Sequence, residues 1–185
     1  MEQFENLVEV QKSSERVFDG KLLHVVRDTV VLPDQRLATR ELMRHFGAVG
    51  VVPVTESGNV ILERQFRYPL NMVITEIPAG KLDSADEDRL SAAKRELREE
   101  TGLSADHWTD LGVYYPAAAY SDEKITLYLA QGLHQGKQQL DQGEFLNVYE
   151  MPLEEAVKAV MAGEITDGKT QVALLKAQKV LNGAR

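Results

Sequence analysis

Residues 80–103 read GKLDSADEDRLSAAKRELREETGL, and no other stretch restricts the possible folds of this chain as tightly. Leu90, Ala93 and Leu97 recur at helical spacing, and Glu96, Glu99 and Glu100 recur beside them at i, i+3 and i+4. At ~100° per residue the carboxylates share one face and the apolar residues the adjoining one. Ser84, Asp86 and Asp88 can each cap such a helix at its start, and Gly102 marks its end. The segment therefore predicts a helix that buries one stripe against a core while it gathers like charges on another. Such charges repel by about 0.2–0.5 kcal/mol per pair, so a cation is expected opposite them. Carboxylate oxygens suit a hard divalent ion, Mg2+ or Mn2+, which keeps several waters and shares its remaining positions with substrate phosphates. For Arg95–Glu100 taken alone, a solvated acidic face is the alternative reading.

The rest of the chain supplies a globular frame for that helix. With 185 residues there is room for one well-buried domain and a small appendage, and 43% hydrophobic with 27% charged residues is ordinary for a soluble protein. No apolar run approaches the ~18 residues of a membrane span. The opening MEQFENLVEV lacks a basic stretch followed by an apolar core, so a cytoplasmic location is the expectation. A net charge of −8 argues against a nucleic-acid surface, and the absence of cysteine excludes disulfides and thiolate chemistry.

Strand-like runs at 21–32 and 36–44, joined by a Pro33-Asp34-Gln35 turn, predict a small antiparallel β unit over residues 1–46. From Ala48 the pattern becomes AVGVVPV, a Glu56–Asn59 turn and VILERQF, which reads as one hairpin of a central mixed sheet. Further strands are expected at 111–115, 125–133 and 145–151. A helix follows Pro152 and stops at Gly163; a last one is capped by Thr166 or Asp167 and buries Ala173, Leu174, Ala177, Val180 and Leu181. Helices interspersed with strands argue for an α/β sandwich over 47–185.

The run Gly80, Glu87, Arg95-Glu96, Glu99-Glu100, Gly102-Leu103 resembles the Nudix box of the Nudix hydrolases. Six residues rather than five separate Gly80 from Glu87, an insertion placed in the loop before the helix. Four flanking stretches are similar to the ADP-ribose pyrophosphatase subfamily: Thr39–Glu41 ahead of His45–Val49, Gln65–Arg67, Glu76–Lys81, and Tyr115-Pro116 followed by Ser121–Glu123. Ile165–Thr170 extends the similarity. The chain departs from that pattern at Phe46, at Ala117–Tyr120 and at Gln142.

The resemblance implies an α/β/α sandwich around a central mixed sheet, and two or more Mg2+ or Mn2+ ions. It also implies a small nucleotide-sugar substrate and a homodimer formed through the N-terminal strands. Glu96 and Glu100 are expected to hold the metal, with Glu99 as a further ligand and the Ala79 carbonyl closing the set. Arg95 would orient these glutamates, with Glu87 paired to it. Glu144 is expected to be the general base, ahead of Glu123 and Glu99. Arg67, Glu76, Pro116 and Arg40 are the expected substrate contacts, Arg44 and Phe18 competing with Arg40 for the adenine. The implied reaction is hydrolysis of ADP-ribose to AMP and ribose 5-phosphate. Its alternatives are a GDP-sugar, another ADP-sugar or a dinucleotide as substrate, or a non-catalytic nucleotide sensor.

Overall fold

The structure is a computed structural model and describes residues 2–183. The chain divides into two compact units, Met1–His45 with Ala117–Glu123, and Phe46–Pro116 with Lys124–Arg185. The smaller unit thus takes in residues 117–123, which the sequence assigns to the larger domain. Backbone pairing is the cause: Met43 N donates to Tyr120 O at 2.8 Å, and Asp122 N to Met43 O at 3.3 Å.

In the smaller unit, β1 (Val10–Asp19), β2 (His24–Val31) and β3 (Leu37–Arg44) form an antiparallel meander in that order. Pro33–Gln35 makes the expected turn, with Gln35 at φ 68°. β1 is longer than β2 and β3 yet went unread in the sequence, because QKSSER at its centre shows no apolar alternation. All its residues are exposed, Val10, Val17 and Phe18 among them.

The larger unit contains two sheets. β4 (Ala48–Pro53) lies between β7 (Ala79–Lys81) and β9 (Ile125–Gln135), and β9 carries β8 (Leu103–Tyr114) on its other side. β4 and β9 run parallel while the other pairs are antiparallel, which makes this sheet mixed. The second sheet, antiparallel throughout, has the order β10 (Leu146–Pro152), β5 (Asn59–Arg67), β6 (Met72–Glu76). The expected β4–β5 hairpin is therefore corrected. Only Val54 and Val60 bridge before the strands part, since both edges of β4 are taken by β7 and β9.

Strand alternation sorts the core into two layers. Val49 and Val51 of β4 pack with Ala92, Ala93 and Leu97 of α1 (Arg89–Thr101). Ala48 and Val52 point the other way, into a cluster with Leu153 and Val157 of α2 (Leu153–Met161) and Ala173, Leu174 and Ala177 of α3 (Gly168–Gly183). Helices thus cover both faces of the β-structure. Leu97 and Leu174 are sealed completely, and a buried side chain of that size stabilises the fold by about 1.5–3 kcal/mol. Val180, expected inside, is instead 40% exposed near the end of α3.

Candidate active site

Helix α1 begins where its cap allows. The Asp88 carboxylate accepts from Ser91 N at 2.8 Å, and Gly102 ends the helix at φ 75°. Of the possible caps, Asp88 is used, so Glu87 stays in the preceding loop. There its two oxygens accept from Asp83 N at 2.7 Å and from Arg95 at 3.2 Å. The extra residue before Glu87 is absorbed without rotating the acidic face.

That face meets the turn leading into β7. Glu100 is 5% exposed and accepts from Ala79 N at 2.8 Å. Glu96 lies so close to Gly80 that a Cβ there would overlap its carboxylate and push it aside. Arg95 donates to Glu96 at 2.7 Å and to Glu99 at 3.3 Å; burial lowers its pKa, but Glu96, Glu87 and Asp83 outweigh that and raise it. One guanidinium cannot neutralise the whole group. Burial, with Glu99 and Glu144 nearby, pushes Glu96 up to about 7 against the opposing pull of Arg95. Glu100 is driven upward by burial and by the charges of Glu63 and Glu96.

Glu144 reaches the same neighbourhood from the segment between β9 and β10. Its carboxylate accepts from the Gln65 side chain at 3.4 Å, and it adds to the negative field at Glu63, Glu96 and Glu100. The start of that segment is fastened to the end of α1: Gln139 N donates to Glu99 O at 2.9 Å, Gln138 Nε2 to Glu100 O at 2.5 Å, and Gly136 N to Gly102 O at 2.8 Å. These bonds satisfy carbonyls that a helix end otherwise leaves open.

A second, charge-balanced group adjoins the first. Glu76, 2% exposed, receives a two-pronged bond from Arg67 at 2.5 and 2.8 Å and an ion pair from Lys169. Burial pushes Glu76 up, but Arg67 and Lys169 outweigh it and hold the carboxyl below its ordinary value. Lys169 also bonds Asp167 at 3.1 Å, and Asp167 caps α3 through Thr170 N at 3.0 Å. Arg67 is thus committed to Glu76 on one edge, with its side chain 41% exposed.

The expected residues divide accordingly. Ala79, Arg95, Glu96, Glu99, Glu100 and Glu144 come together, with Arg67 and Glu76 alongside. Pro116 stands exposed in the loop after β8. Arg40 belongs to the smaller unit, where Glu9 holds its guanidinium at 2.5 and 2.9 Å. Arg44, in the same unit, pairs with Asp28 and Asp122, and Glu123 lies there too, 3.8 Å from His45. Sequence reasoning missed Glu63 and Lys169. A carboxylate following Val60-Ile61-Leu62 in a strand was the available signal for the first.

Among the described residues no three His, Asp or Glu side chains already form a metal cage. The donor set nonetheless fits a hard divalent ion. It offers only oxygens, they are partly buried, their charge exceeds what Arg95 can balance, and the Gly80 backbone leaves Glu96 unobstructed.

A mixed sheet with helices on both faces and an acidic helix packed against the glycine-containing strand β7 thus presents oxygen donors suited to a divalent cation. The NUDIX domain family model matches residues 44–174, and the chain belongs to that family; it is a Nudix hydrolase. Over 171 residues it is 39% identical to the ADP-ribose pyrophosphatase of Bacillus subtilis (strain 168), covering 91% of this chain and 92% of the relative. It is 36% identical to the methanol dehydrogenase activator of Bacillus methanolicus, covering 91% and 92%. A solved ADP compounds hydrolase superposes with a TM-score of 0.84 over 96% of this chain and 97% of that one, at 23% identity, a likeness of fold. No helix among the described residues is long and apolar enough to cross a membrane.

Proposed function

We propose that this hydrolase cleaves the diphosphate of ADP-ribose, giving AMP and ribose 5-phosphate. The observation that carries the reading is the convergence of Glu96 and Glu100 on the Ala79–Gly80 backbone of β7, with more negative charge than the adjacent Arg95 can balance. The match to a pyrophosphatase relative along nearly its whole length points to the substrate.

Glu96, Glu100 and Glu99, with the Ala79 carbonyl, would hold two or more Mg2+ or Mn2+ ions. Bound there, such ions lower the pKa of water and offset charge on the diphosphate oxygens. Arg95 restrains Glu96 and Glu99 through its hydrogen bonds, which keeps both carboxylates on the same side of α1. Glu144 is suited to take the proton of the attacking water, since it sits beside the cluster on a segment anchored at its start. Arg67, oriented by its fork onto Glu76, offers its remaining donors to phosphate or ribose oxygens. Pro116 lies in the loop assigned to sugar choice. Arg40 remains an adenine contact in this proposal.

The exposed β1, with Val10, Val17 and Phe18 uncovered, supports a homodimer built on β1–β3, and the soluble composition accords with a cytoplasmic enzyme. Light scattering on the purified chain tests the first of these.

A second reading changes only the substrate. Ala117–Tyr120 departs from the subfamily's loop, so another nucleotide-sugar or a dinucleotide is the competitor. The test is a panel of ADP-ribose, ADP- and GDP-sugars and dinucleotides with Mg2+, using alkaline phosphatase to release phosphate from newly exposed termini. Preference for ADP-ribose is expected. Comparable efficiency on a GDP-sugar overturns the assignment, and tight ADP-ribose binding without product would make the protein a sensor.

A further inference from the structure

Strand β5 delivers a further carboxylate to the acidic cluster. Val60 and Leu62 enter the core shared with α2 and α3, whereas Ile61 enters the core shared with α1. Alternation then places Glu63 and Gln65 on the α1 side, and the Gln65 amide indeed reaches Glu144. Glu63 is 3% exposed, and its Oε1 is sealed from solvent with no hydrogen-bond partner.

The charges facing Glu63 leave it poorly compensated. Glu144, Glu76 and Glu100 are negative; Lys169 and Arg67 are positive, but both bond to Glu76. An ionised carboxylate with an unpartnered oxygen in such a place is costly unless a cation joins it. Glu76 and Glu100 are nearby carboxylates of similar burial, but Glu76 is already paired with Arg67 and Lys169, while Glu96 and Glu99 lie further toward solvent.

We propose that Glu63 is an additional ligand of the divalent-cation site, acting with Glu100 at its inner side. This rests on the reading that Glu96 and Glu100 hold metal, and adds a residue from the second sheet. Cation binding would then join β5 to α1 directly, tying together two sheets that otherwise meet through side-chain packing and the Val54–Val60 bridge.

The test is Mn2+ binding to the full-length, metal-stripped protein without substrate, followed by electron paramagnetic resonance, together with thermal melting with and without Mn2+. Glu63→Gln is expected to weaken Mn2+ binding by about tenfold to a hundredfold. It should also melt higher than the wild type without metal and gain less on Mn2+ addition. Unchanged Mn2+ affinity and stoichiometry in Glu63→Gln, with loss in Glu100→Gln, overturns the role of Glu63 alone. Unchanged binding in both overturns the metal-site reading beneath it. If Glu63→Gln does not fold, Glu63→Leu replaces it, since an apolar side chain suits a position beside Ile61 and Leu62, and the same outcomes apply.

Discussion

Glu63 and Glu76 are opposite neighbours across the β5–β6 pair, both almost wholly buried, and they meet contrary electrostatic fates. Arg67 and Lys169 close on Glu76 and hold it ionised, whereas burial and the charges of Glu144 and Glu76 drive Glu63 well above the usual carboxylate range. Burial is therefore not what separates a structural carboxylate from a functional one here. The separation lies in which charges the fold supplies itself and which it leaves to a ligand. The Glu76 group is complete within the chain; the group of Glu63, Glu96, Glu100 and Glu144 is not.

Five substitutions can break or sharpen that contrast. The largest effect is expected at the incomplete group. Glu96→Gln or Glu100→Gln should lower Mg2+-dependent turnover of ADP-ribose by about 10²–10³-fold while circular dichroism stays native. Equal activity in either variant at excess Mg2+ would remove the distinction. Gly80→Ala is next, because its Cβ displaces the Glu96 carboxylate. A loss of about a hundredfold in kcat/KM is expected, with a folded protein by melting.

Third is the balanced group. Glu76→Gln leaves Lys169 and Arg67 without their buried partner and should cost about 2–4 kcal/mol by urea denaturation at neutral pH, the exposure of Arg67 keeping it below the value for a fully buried pair. Because the folded pKa of Glu76 lies below its unfolded value, the stabilisation is complete above about 4.3 and fades as pH falls through the folded value. The gap between wild type and variant should therefore close in acid. A gap that persists there would mean that shape, not charge, holds this group. The smallest effect is expected from Asp88→Ala, which removes the α1 cap for about 1 kcal/mol and leaves the Mg2+ dependence of turnover unaltered.

Helix α1 was legible in all but its exact start, because three candidate caps, the apolar stripe, the acidic face and the stop all lie within one short stretch. The same holds for α2 and for most of α3. What sequence could not reveal depends on partners far along the chain. That one edge of Arg67 is held by Glu76 emerges only when β6 folds back beside it, and Lys169 arrives from 93 residues beyond Glu76. Glu63 reads as the polar phase of a strand, and only the departure of β5 from β4 turns that phase toward α1. Strand β1 escaped notice for the opposite reason, since its polar centre carries no pattern at all.

Helix α1 is not finished by its own residues: Gly136, Gln138 and Gln139 bond the carbonyls of its last turn. The final turn is thus closed by chain that arrives only after β8 and β9 have been laid down. Hydrogen exchange at the Gln139 amide, bonded to Glu99 O, therefore reports whether the carboxylates and the far strands have come together, without metal, nucleotide or catalysis. A lesion in the β8–β9 ladder, remote from Glu96 and Glu100 in sequence, would reach the acidic helix by unfastening its end.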